Sequence, residues 1–133
     1  GHKGIKTFIA DLNRLYKEEP ALHEKQFSNE GFEWINYGDA DNSVLSYVRK
    51  GHYIENDLVV ICNFTPVVRE DYRIGIPTDG TLKQVFNSDE KKYYGSDVRN
   101  KEEISVEAIP YNGKDFSVAI TLSPLAVIVF KIV

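Results

Sequence analysis

The chain has 133 residues, 16 Lys and Arg against 20 Asp and Glu, and a formal net charge of −4. That length fits one domain burying about two-thirds of its unfolded surface, and no basic run beyond Lys91-Lys92 offers the gathered cations that nucleic acid requires. The single cysteine, Cys62, excludes an internal disulfide, and the lack of an apolar span or leader completes the expectation of a reduced, cytoplasmic chain outside the membrane.

The chain opens on an amphipathic pattern. Ile5, Phe8, Ile9, Leu12, Leu15 and Tyr16 recur at helical spacing over residues 4–19, which predicts one helix with a wide apolar face. Pro20 ends it, because proline cannot donate to the helical ladder and forces Glu19 toward extended geometry. Glu18 and Glu19 near the C-terminus slightly oppose the macrodipole, so tertiary packing has to hold the helix.

A polar stretch follows over 21–30, with Leu22 and Phe27 as apolar anchors. The period then changes to two. Phe32 and Trp34 alternate with Glu33, Ile35 and Tyr37, the turn Gly38-Asp39-Ala40-Asp41-Asn42 follows, and Ser43–Arg49 return, so 31–49 reads as a hairpin. Leu58–Phe64 is apolar on both faces, as a central strand covered on both sides would be.

Pro66 closes that strand. Tyr72, Ile74 and Ile76 alternate, Pro77–Gly80 turn the chain, and Thr81–Phe86 form another strand. The polar stretch 87–103, with Tyr93-Tyr94-Gly95 inside it, is a loop of the length that usually carries function or an interface. Strands are expected at 104–108, at 116–122 in strict alternation, and at 126–132, with a turn at Asn112-Gly113. The whole reads as a mainly β chain: an antiparallel β-sandwich of about eight strands preceded by one N-terminal helix.

Chemistry has few candidates. His2, His23 and His52 are scattered and Cys62 has no second thiol, so no metal site is expected. Cys62, mid-strand, reads as a small core residue. There is no Gly-x-Ser-x-Gly elbow and no glycine-rich phosphate loop. Glu18-Glu19, Glu102-Glu103 and the Asp39/Asp41 pair lie in polar surroundings, whereas a catalytic acid needs an apolar pocket to raise its pKa. No catalytic residue and no cofactor is expected. Most aromatics sit at strand spacing and read as core. Tyr93 and Tyr94, in the polar loop, are the candidate carbohydrate-binding pair, with anchoring of the loop as the alternative.

Several segments are similar to a known family. Asp11–Glu24 (DLNRLYKEEPALHE), Gly31–Asn36 (GFEWIN) and Asn42–Arg49 (NSVLSYVR) resemble, in order, segments of bacterial-type 1,4-α-glucan (glycogen) branching enzymes. So do Val60–Pro66 (VICNFTP), Tyr72–Pro77 (YRIGIP) and the closing Leu122–Lys131 (LSPLAVIVFK). In the long loop, Tyr94-Gly-Ser-Asp-Val98 departs from the family's more glycine-rich run.

The resemblance implies an α-amylase-family enzyme with a (β/α)8 barrel followed by an all-β domain. The barrel would transfer α-1,4-glucan segments to 6-hydroxyls, and all its catalytic carboxylates would lie upstream of this chain. Residues 1–20 would then be the last barrel helix and 21–133 the non-catalytic C-terminal domain, inactive alone. Phe8, Leu12, Leu15 and Tyr16 would face the barrel, leaving a face through which the chain could self-associate. An independent module holding α-glucan or glycogen through exposed aromatics is the other expectation.

Overall fold

The computed structural model describes residues 2–24, 31–39 and 42–133, apart from the side chains at 2, 3, 5, 37 and 38. The expected anchors Phe27, Ile5 and Tyr37 and the turn residues Ala40 and Asp41 therefore lie outside the described side chains. Helix α1 spans His2–Glu18, and a 3-10 turn at Pro20–Leu22 follows it. Eight strands come next: β1 Phe32–Asp39, β2 Val44–Arg49, β3 Leu58–Asn63, β4 Arg69–Ile76, β5 Thr81–Asn87, β6 Glu103–Ser105, β7 Phe116–Leu122 and β8 Ala126–Ile132. Among the described residues no helix is long and apolar enough to cross a membrane.

Six strands form one antiparallel sheet in the order β1-β2-β3-β8-β5-β6, and β4 and β7 pair as a second, two-stranded sheet. The apolar pattern explains the layering. On β3, Val59 and Ile61 point into the core between the two sheets, with Ile74 and Ile76 of β4, Val118, Ile120 and Leu122 of β7, and Ile128, Phe130 and Ile132 of β8. The alternate β3 residues, Leu58 and Val60, join Val129, Phe86 and Ala21 in a second cluster, against which Phe8 and Leu15 of α1 pack. The central strands are thus apolar on both faces because the two-stranded sheet covers one face and the helix covers the other.

Two members of the helix face expected to meet a barrel are turned inward instead. Phe8 and Leu15 pack on the chain's own sheet, because the second face of β3, β5 and β8 would otherwise leave large apolar surface in water. Ile9, Leu12 and Tyr16 remain exposed, at 51%, 37% and 46%. The α1 stripe is wider than one interface needs, and the fold uses only one edge of it.

The strand expected over 104–108 is shorter, Glu103–Ser105, and β4 starts earlier than the Tyr72 alternation indicates. A bulge between Arg69 and Tyr72 breaks its register with β7, which hides the first residues of the strand from a period-two reading.

Candidate functional site

Loop 87–103 is built around one carboxylate. The buried Asp89 accepts hydrogen bonds from the Ser96 amide (2.9 Å), the Ser96 hydroxyl (2.8 Å) and the Val98 amide (2.9 Å). The Asp97 amide donates to the Asp89 carbonyl at 2.8 Å. Gly95 crosses so near that a Cβ there would stand 2.1 Å from the Asp89 carbonyl oxygen, so no larger residue fits. The loop is ordered from within, and Ser96 and Val98, where the sequence departs from the family run, supply its hydrogen bonds.

This loop presents Tyr93 and Tyr94 to α1. The Tyr93 ring stands edge-on to Phe8 at 5.3 Å, tilts on Phe86 at 5.8 Å, and its hydroxyl donates to Asp11 Oδ2 at 2.5 Å. Lys92 Nζ reaches the same Asp11 oxygen at 3.1 Å and Arg14 reaches Oδ1 at 3.0 Å. The Tyr93 hydrogen bond first, then the Lys92 ammonium, hold the Asp11 carboxyl below the usual aspartate range. Burial and the Asp11 hydrogen bond push the Tyr93 phenol up to about 12. Tyr94, at φ 63°, lays its ring over Gly4 of α1, where a Cβ would come within 2.7 Å, yet it stays 63% exposed. Of the two sequence-predicted rings, Tyr93 is engaged in clamping the helix and Tyr94 keeps an open face. Sequence reading had no signal for the clamp, since Asp11 lies far away in the chain.

Among the described residues the paired carboxylates do not converge, and Asp41 lies outside them. Glu19 reaches Lys131 Nζ at 3.1 Å, Glu18, Glu102 and Glu103 are exposed, and Asp39 accepts from Tyr72 and from Asn42 Nδ2 at 3.0 Å. His52 Nε2 lies 3.3 Å from Glu24 Oε2, His23 sits against Tyr16 with ring centroids 5.8 Å apart, and His2 lies outside the described side chains. Among the described residues no three His, Cys, Asp or Glu side chains gather as metal ligands. Cys62 is half-buried and its thiol is pushed up by desolvation, which leaves it a weak nucleophile.

The surface on the helix side of the large sheet is unusually aromatic. Phe32 meets Trp34 edge-on at 4.9 Å and stacks on Tyr47 at 4.9 Å, with Trp34 43% exposed. Further along the sheet, Phe64, Leu125 and Val127 are also exposed.

Residues 34–133 match the profile of the "Alpha amylase, C-terminal all-beta domain" family. The chain belongs to that family. Its curated relatives include a 1,4-alpha-glucan branching enzyme of Aquifex aeolicus, 45% identical over 98% of this chain and 21% of the relative. A branching enzyme of Cereibacter sphaeroides is 48% identical over 96% of this chain and 17% of that protein. The chain thus spans about a fifth of the length of the curated relatives it matches. Among solved structures, a trehalulose synthase from Pseudomonas mesoacidophila superposes over 100% of this chain and 18% of that one, with TM-score 0.60 and 20% identity. At that identity the likeness is one of fold: the amylase-type all-β domain with a helix ahead of it.

Proposed function

We propose that this chain is the non-catalytic C-terminal domain of a 1,4-α-glucan branching enzyme. In such a parent, an upstream (β/α)8 barrel transfers α-1,4-glucan segments to 6-hydroxyls in glycogen synthesis in the cytoplasm, and this domain braces the barrel. One observation carries the reading: 44–48% identity to curated branching enzymes along nearly the whole chain, at about a fifth of their length. The scattered carboxylates described above agree with a supporting part. Residues 1–20 are read as the last helix of the barrel and 21–133 as the β-domain. The exposed edge of α1, with Leu12 and Tyr16, is the part of the expected interface still available to a barrel, while Phe8 and Leu15 lock the helix to the β-domain.

Removing this segment from its parent tests the reading. Loss of soluble, branching-competent protein on deletion supports it; a parent that keeps full branching activity without the segment overturns it.

A second reading, an independent module that holds α-glucan, draws on the open face of Tyr94. Native gels with glycogen test it. Retardation that Tyr94→Ala abolishes supports this reading, and unchanged mobility removes it.

A further inference from the structure

Asn112-Gly113 is the only place in the chain where glycine follows asparagine. In such a pair the glycine nitrogen can attack the asparagine Cγ, because no side chain crowds it. The bond from Gly113 N to Asn112 Cγ forms, the Cγ–Nδ2 bond breaks, and ammonia leaves with the Gly113 amide proton. One water then opens the five-membered imide. Cleavage at Cγ gives aspartate; cleavage at the backbone carbonyl gives isoaspartate, with one more methylene in the main chain.

The fold holds the reacting groups apart. Tyr111 and Lys114 exchange backbone hydrogen bonds at 3.0 and 2.9 Å across Asn112 (φ 51°) and Gly113 (φ 73°), a tight type I′ turn. A left-handed asparagine turns the next amide nitrogen away from its own Cγ, so ring closure requires the backbone at Asn112 to leave that region. The side chain is anchored as well, with Asn112 Oδ1 accepting from the Gly75 amide at 2.9 Å. The turn lies directly on β4: a Cβ on Gly75 would stand 2.3 Å from the Tyr111 carbonyl oxygen and 3.1 Å from the Asn112 Cβ.

The outer side of the same turn is open. Gly113 is exposed, and a Cβ there would meet nothing within 4 Å. Base and water therefore reach the site, and the imide has room once the latch to Gly75 opens.

The consequence falls on Lys114. Its Nζ reaches Glu33 Oε2 at 2.9 Å, and Glu33, on β1, also meets Lys50 Nζ at 3.3 Å. This ion pair ties the turn seated on the small sheet to the edge strand of the large one. A methylene inserted at position 112 moves Lys114 out of register with Tyr111 and draws its ammonium off Glu33.

We propose that Asn112-Gly113 is a self-modification site, a slow clock that converts Asn112 to aspartate or isoaspartate. The Gly75 latch holds the clock back, and its running loosens the tie between the two sheets. The chemistry needs only this chain and water, so it stands apart from the branching-enzyme reading.

Peptide mapping by mass spectrometry after storage in mildly alkaline buffer tests the proposal. The folded chain should convert Asn112 before any other asparagine, yet about tenfold more slowly than a synthetic peptide of residues 108–116, since the latch and the turn must open first. In urea that unfolds the chain, the rate should rise to that of the peptide. Gly75→Ala, which displaces the turn from β4, should bring the folded rate most of the way there. An isoaspartate-specific methyltransferase should label the converted chain at position 112. The converted fraction, richer by one negative charge and separable by ion exchange, should unfold at a lower urea concentration. Equal rates in folded chain and peptide, first conversion at another asparagine, or a converted fraction with an unchanged urea midpoint would each overturn it. The urea comparison needs no variant, so it decides even if Gly75→Ala fails to fold.

Discussion

Asp11 and Tyr93 are 82 residues apart in the chain and 2.5 Å apart in the fold. Their hydrogen bond, with Lys92 beside it, ties α1 to the long loop, and replacing Asp11 by Asn should cost about 1–2 kcal/mol in urea unfolding. The acid limb of stability has the same origin. Asp11 and Asp39 titrate below the ordinary aspartate value of 3.8, chiefly through hydrogen bonds from Tyr93 and Tyr72. Glu33 titrates below 4.5 through the Lys114 hydrogen bond. A depressed folded pKa gives stability that is complete above the unfolded value and is lost as the pH falls through the lower folded one. Melting temperature should therefore hold at neutral pH and drop below about pH 4, and Asp11→Asn should flatten that drop; an unchanged acid limb in the variant contradicts the assignment. A buried carboxylate with a different task is Asp89. Its replacement by Ala leaves the Ser96 and Val98 amides without their acceptor and should cost about 2 kcal/mol, read as a lower urea midpoint. None of these partners was legible in the sequence, since a polar residue in a polar stretch looks the same whether it is solvated or holds a loop together.

At the scale of elements, the helix and the central strands explain one another. Leu58–Asn63 was legible as a strand covered on both sides because its apolar run has no polar phase, and α1 was legible from its spacing. That the helix covers one face of that strand was not, because a wide apolar stripe does not say which of its edges turns inward. The two edges should respond differently to substitution. Phe8→Ala removes a ring packed on Phe86 and Tyr93, with centroids 5.7 and 5.3 Å away, and should cost about 2 kcal/mol. Leu12→Glu, on the exposed edge, should change the stability of this chain by less than about 0.5 kcal/mol while lowering any concentration-dependent association seen by sedimentation. Equal losses at the two positions would mean that the helix is buried on both edges. Sheet pairing shows the same division. The alternation of Phe116–Leu122 was plain, but its pairing with β4 apart from the main sheet depends on the register of distant strands and on the bulge at Asp71. Gly75→Ala tests that local geometry: its Cβ would meet the Tyr111 carbonyl, so the hairpin has to move, at about 1–3 kcal/mol.

For the whole molecule, a six-stranded sheet is covered by a two-stranded sheet on one side and by a helix on the other, and an exposed apolar edge remains on that helix. The family was readable from ordered segments such as DLNRLYKEEPALHE, which lie where the helix, its proline stop and the first turn meet. The Tyr93–Asp11 clamp was not, because it joins two stretches of sequence 82 residues apart. In the proposed reading this chain supports branching without performing it. Iodine staining of amylose, with this chain and with its parent protein assayed side by side, tests that most directly. The parent should lower the iodine colour while this chain, at the same molar concentration, leaves it unchanged; a metal-independent loss of colour with this chain alone, or none with the parent, would overturn the proposed reading.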